Sequence, residues 1–270
     1  MSFHQLSLSA VYNPTQPSYR KTQETVTALQ KKVSQTYISE DDMRLLKIEC
    51  TDLEFDPEPQ TDDGLLKLMS MQEMRDYAKQ HSFPAFRPGY AMDENFHRAS
   101  YVFNQFITCL HSEEDPERET QSLDEKLSCV IHCPYEYADY LQWYGQTAKW
   151  KVEHYITRKD SPHVVCLMAD NACPREDALL LSEVYCILSM AFLMFIEEQN
   201  AKYEIIPVTL ISGSGTYFRI VHGYADREGK TIQLRKTRIV DVGEGEVGGK
   251  IQQDRCLTLM RWVVATLKTT

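Results

Sequence analysis

The chain has 270 residues, of which 43% are hydrophobic, 25% charged and 10% aromatic. That composition excludes collagenous, low-complexity and fully disordered classes and predicts a globular protein with a substantial core. A formal net charge of -10 opposes a general role in coating nucleic acid or anionic membrane, since those partners are negative themselves.

Residues 1–19 read as a flexible arm, with Asn13-Pro14 and Gln16-Pro17 interrupting any periodicity. The spacing of Val26, Leu29 and Val33 predicts a helix over 20–37. From Glu40 to Asp63, ten acids stand against Arg44 and Lys47, which predicts a surface segment with a short strand within 45–55. A helix is expected over 63–80 and another from an Asp93 N-cap to Leu110, the second burying Phe96, Ala99, Phe103, Phe106 and Leu110. The acidic run 113–125, broken by Pro116, marks the internal boundary.

Beyond the boundary, patterning changes from helical to alternating. Strands are predicted over 150–156, 164–168 and 204–212, then a hairpin over 217–225 and 231–240. A helix opening near Pro174 and running to Asn200 separates the second and third strands, giving a β-α-β unit. A glycine-rich loop, 243–249, leads into a closing helix over 251–267. The expected fold is mixed α/β: a helical part at 20–125 packed on a β-α-β-β-β-α unit at 126–270, with one continuous domain as an alternative.

The run Ala178 to Ile196 is almost wholly apolar and close to bilayer-spanning length. Glu183 inside it, and acidic flanks where Lys or Arg would be expected, favour a helix buried in protein. No membrane association is expected. Residues 1–10 lack the basic opening and long apolar run of a secretory signal, so a soluble protein of the cytoplasm or nucleus is predicted. Eight cysteines without a Cys-x-x-Cys pair read as reduced thiols, and the Cys109, His111, Cys129, His132, Cys133 group fits no standard zinc spacing. Cys173, with His163 on a neighbouring strand, is a candidate nucleophile.

Two constellations could carry function. In open α/β sheets ligands bind beyond the carboxyl ends of strands, which places Asp170 to Asp177 at such a position; Asp170 or Asn171 could equally cap the following helix. Glu183 is the most unusual residue, because a carboxylate in an apolar helix must be paired, protonated or metal-bound. A Glu-bearing helix followed by a charged meander resembles the PD-(D/E)XK nuclease arrangement in element order. That resemblance implies a divalent metal held by Asp170, Glu183 and Asp226, with Lys236 steadying phosphate charge, although the Asp then Glu-x-Lys motif is absent. The meander also carries Arg219, Arg235 and Arg238 with His222, interleaved with Tyr217, Phe218 and Tyr224. These side chains could bind an acidic protein or nucleic acid, or could meet the chain's own acids.

The stretch from Ile205-Ile206-Pro207-Val208 through Phe218-Arg219-Ile220-Val221-His222-Gly223-Tyr224 to Leu234-Arg235-Lys236-Thr237-Arg238 resembles a group of small uncharacterised fungal proteins. The resemblance covers the last third of the chain and implies an accessory role without assigned activity. The expected function is therefore a non-catalytic binding or accessory protein that needs no cofactor. The alternative is a metal-dependent phosphodiesterase or nuclease-like hydrolase. The two differ in one geometric respect: a hydrolase needs Glu183 and a strand acid to converge in a cleft, whereas a binding protein encloses Glu183 against an Arg, His or Tyr.

Overall fold

The computed structural model describes residues 20–32, 35–57, 66–81, 83, 85–87, 94–111, 128–133, 141–145, 149–159, 161–226, 232–243 and 250–267. The arm at 1–19, the acidic run 113–125 and the loop 244–249 lie outside them. The strands are β1 (Ile48–Asp52), β2 (Leu66–Lys67), β3 (Cys129–His132), β4 (Gln142–Tyr144), β5 (Lys149–Arg158), β6 (Ser161–Asp170), β7 (Ile205–Ser214), β8 (Tyr217–Asp226), β9 (Ile232–Lys236), β10 (Val240–Asp241) and β11 (Thr266–Leu267). The α-helices are α1 (Arg20–Gln30), α2 (Glu40–Leu46), α3 (Met71–Gln80), α4 (Asn95–Leu110), α5 (Leu181–Ile196) and α6 (Lys250–Val263).

The protein is α/β. Among the described residues nine strands form one mixed sheet in the order β1-β9-β8-β7-β6-β5-β3, with β10 beside β8 and β4 beside β5. β6 and β7 are parallel because α5 crosses between them, while β7, β8 and β9 form the expected antiparallel meander. β6, β7 and β8 are buried on both faces, which explains their near-continuous apolar runs. One face packs on α5 and α1, through Val26, Leu29, Val184, Leu188, Val208 and Leu210. The other packs on α3, α4 and α6, through Met74, Phe103, Phe106, Leu167, Ile211 and Met260. The N-terminal helices thus complete both cores of the C-terminal sheet.

The helix α4 buries every residue of its predicted stripe, from Phe96 to Leu110. Its N-cap is Glu94, which makes no side-chain capping bond. The short strand expected within 45–55 is β1, which runs parallel to β9 and forms a sheet edge, with Ile48 turned inward; α2 precedes it. Four expectations are corrected. The helix expected over 20–37 ends at Gln30. The helix expected from 63 begins only at Met71, where Ser70 and Glu73 form a reciprocal capping box; β2 precedes it. The buried helix begins at Leu181 rather than at Pro174 and ends at Ile196, followed by a 3₁₀ turn, Glu198–Asn200. The closing helix stops at Val263, and β11 then pairs with β2.

No helix among the described residues is long and apolar enough to cross a membrane. The outer side of α5 is covered by α1 and by residues 36–38: Leu181 N–H donates to Thr36 O (3.0 Å) and Ile38 N–H to Leu179 O (3.1 Å). Gly215 makes the turn between β7 and β8 with φ +64°, a left-handed conformation that favours glycine.

Candidate functional site

Asp170 ends β6, Glu183 lies in the first turn of α5 and Arg219 lies near the start of β8, so the fold brings all three to one end of the sheet. Glu183 and Arg219 are both fully buried and form a two-pronged ion pair. Arg219 Nε donates to Glu183 Oε1 (3.0 Å) and Nη2 donates to Oε2. Such forked pairing suits the planar guanidinium. The remaining nitrogen, Nη1, donates to the carbonyls of Arg175 (2.8 Å) and Ala178 (3.0 Å). Glu183 Oε2 also accepts the Leu180 N–H (2.8 Å), the carboxylate half of a capping box whose other half a leucine cannot supply.

These bonds explain why α5 starts late. The carbonyls of residues 175 and 178 point at Arg219 instead of along a helix, so 171–180 becomes a loop clasped to the sheet. Asp170 accepts the Ala172 N–H (2.8 Å) through Oδ1 and the Ser182 hydroxyl (2.5 Å) through Oδ2. Burial pushes its pKa up to about 6; the two hydrogen bonds act against that, and the Glu183 charge adds to it.

The four candidate catalytic residues do not converge. Asp226 lies at the far end of β8, paired with Ile205, seven residues or roughly 23 Å from Arg219. Lys236 Nζ donates to the Glu176 carbonyl (2.6 Å). Both Glu183 oxygens are engaged by Arg219 and the Leu180 amide. Among the described residues no group of three or more His, Cys, Asp or Glu side chains is arranged to hold a metal ion.

Nor do the four candidate binding residues share a surface. Arg219 is fully buried, and His222 is buried on the opposite face, its Nδ1 3.0 Å from Thr209 Oγ1. The same hydroxyl meets His163 Nε2 (2.9 Å), so His163 belongs to a buried His-Thr-His row and is far from Cys173, which lies beyond the other end of β6. Burial holds the His163 pKa well below the usual range. Arg235 is half-buried and Arg238 exposed.

Arg238, with the half-buried Lys236, lines a cleft of about 580 Å³ at the end of β1, where Asp52, Glu54, Phe55 and Glu176 face the two cations. Its walls are anchored. Leu53 N–H donates to Lys236 O (2.7 Å), and Trp262 Nε1 to Phe55 O (2.9 Å). The buried Arg261 binds Asp56 and the Met69 carbonyl. On the opposite wall the Glu176 carboxylate accepts the Ile239 N–H (2.8 Å). Asp52, Glu54 and Arg238 are exposed and have no ion-pair partner among the described residues. The cleft is the part of this end that sequence reasoning missed; the signal was the acidic segment 49–56, whose pairing with β9 is not local in sequence.

Comparison with models of known protein families and with curated proteins finds no match to this chain.

Proposed function

We propose that the chain is a binding or accessory protein that holds an extended polypeptide segment of a partner at the end of β1, in the cleft between Asp52–Phe55 and Lys236–Arg238. The observation that carries this reading is the division of charge at this end of the sheet. Buried Glu183 and Arg219 neutralise each other and fasten the loop, while exposed charges of both signs line an anchored cleft beside an edge strand. Acidic groups of the segment meet Lys236 and Arg238; basic groups meet Asp52 and Glu54. A uniformly acidic chain, nucleic acid included, meets repulsion from the cleft's carboxylates.

The test is selection of a displayed library of random short peptides on the immobilised protein. Peptides carrying both acidic and basic residues should be enriched, and Arg238→Glu should weaken the best of them by about tenfold. Absence of enrichment, or affinity indifferent to Arg238→Glu, would overturn the reading.

A further inference from the structure

The opposite edge of the sheet carries a second constellation. β3 and β5 pair antiparallel, with His132 opposite Tyr155. One step further along that register, Cys133 stands across from His154. A bulge interrupts the β5–β6 pairing between Val152 and His154, and bulges re-aim side chains. Val152 enters the core shared with α5, whereas His154 turns to α4.

Cys133 Sγ lies 3.8 Å from His154 Nδ1, and His154 Nε2 lies 3.3 Å from Asn104 Oδ1. An amide oxygen only accepts, so Nε2 carries the imidazole proton and the Nδ1 lone pair is left for the thiol. Cys133 and Asn104 are exposed and His154 is partly so, which leaves the sulfur open to a reactant. Burial lowers the His154 pKa and favours the neutral base; Lys151 and His111 act in the same direction and Glu153 against it. A nucleophile within reach of a base that a third group orients is the geometric signature of covalent catalysis, and Cys-His-Asn is one of its recurrent forms on unrelated folds.

We propose that Cys133, His154 and Asn104 form a nucleophilic cysteine centre for acyl transfer from esters or amides, with His154 as base and Asn104 as positioning residue. The Cys133 proton passes to His154 Nδ1 as sulfur bonds to the acyl carbon. The C–O or C–N bond then breaks, and the leaving alcohol or amine takes the proton back from His154. Water, deprotonated by His154, hydrolyses the thioester, releases the carboxylic acid and restores the thiol. The proposal is independent of the cleft, which lies at the other edge of the sheet.

Cys173 is an internal control: it is also exposed, but among the described residues its sulfur is hydrogen-bonded to Asn95 and Ser214 and to no imidazole. In limiting iodoacetamide at about pH 6.5, peptide mass spectrometry should show Cys133 alkylated about tenfold faster than Cys173, because His154 Nδ1 is placed to take the Cys133 proton as the sulfur attacks. Asn104→Ala should shift the pH profile of Cys133 alkylation toward that of Cys173, and Asn104→Asp should restore it. With p-nitrophenyl acetate, a burst of about one equivalent of nitrophenolate should leave acetyl on Cys133, followed by slower turnover. Equal alkylation rates for Cys133 and Cys173 in the wild-type protein, or acetyl recovered elsewhere than on Cys133, would overturn the assignment.

Discussion

Arg219→Met should cost the fold about 3–5 kcal/mol, read as a fall in unfolding free energy in guanidinium titration. The substitution leaves the fully buried Glu183 carboxylate without its counter-ion and removes the donors to the Arg175 and Ala178 carbonyls. An uncompensated buried charge is far costlier than the net worth of the pair, because both ions were desolvated on folding. Glu183→Met should be destabilising for the same reason, stranding the guanidinium and the Leu180 N–H. The double variant Glu183→Met with Arg219→Met should be less destabilised than the sum of the two single ones, by a coupling of the 0.5–3 kcal/mol order seen for residues in contact. It should not return to wild type, since both loop carbonyls have lost the Arg219 donor and the clasp of the loop with it. Additive losses would show that the residues act separately and that the clasp is not a unit.

Asp170 should make stability depend on pH in the direction opposite to an ordinary salt-bridged carboxylate. Its folded pKa, raised to about 6 by burial, lies above the ordinary value of 3.8. Folding therefore favours the protonated form, and the stabilisation is fully present below 3.8 and lost as pH rises through 6. Exposed Glu94 and Asp177 have pKa values lowered by Lys149 and Arg175 respectively, so they act in the opposite sense and lose their contribution as pH falls. The Asp170 contribution is isolated by comparison with Asp170→Asn, which does not titrate. Between pH 7.5 and 4.5 the wild type should gain about 2 kcal/mol relative to the variant, approaching about 3 kcal/mol at lower pH. Denaturant titrations of both proteins at several pH values measure this difference, and parallel curves would contradict it.

The central β6-α5-β7-β8-β9 succession was legible in the sequence because each element carries a long, one-signal pattern: continuous apolar runs in β6 and β7 and an apolar helix between them. Features that depend on a distant partner were not. A short strand was expected where β1 lies, but its partner was not: it pairs with β9, more than 180 residues later. β3 and β4 are short strands ordered by the two halves of β5. Glu183 could be singled out, since a carboxylate within an apolar helix demands a partner, and an Arg was among the partners foreseen. Arg219 was grouped with Arg235 and Arg238 as a candidate binding residue, with pairing to the chain's own acids as the alternative, and it is the alternative that holds. In β8 both faces are covered, and the flanking Phe218, Ile220 and Val221 were the local sign of it. The Cys133, His154 and Asn104 juxtaposition depends on a cross-strand register and a bulge, neither of which has a sequence signature here.

Thermal unfolding after chelator treatment, repeated with magnesium, manganese and zinc, tests most directly whether the buried carboxylates serve the clasp, since an ion bound to the native state raises the Tm by mass action. With Glu183 engaged by Arg219 and Leu180, Asp170 by Ser182 and Ala172, and Asp226 at the far end of β8, none of the three ions should shift the midpoint. A concentration-dependent rise with one of them, abolished by Asp170→Asn, would contradict the division of labour between buried clasp and open cleft.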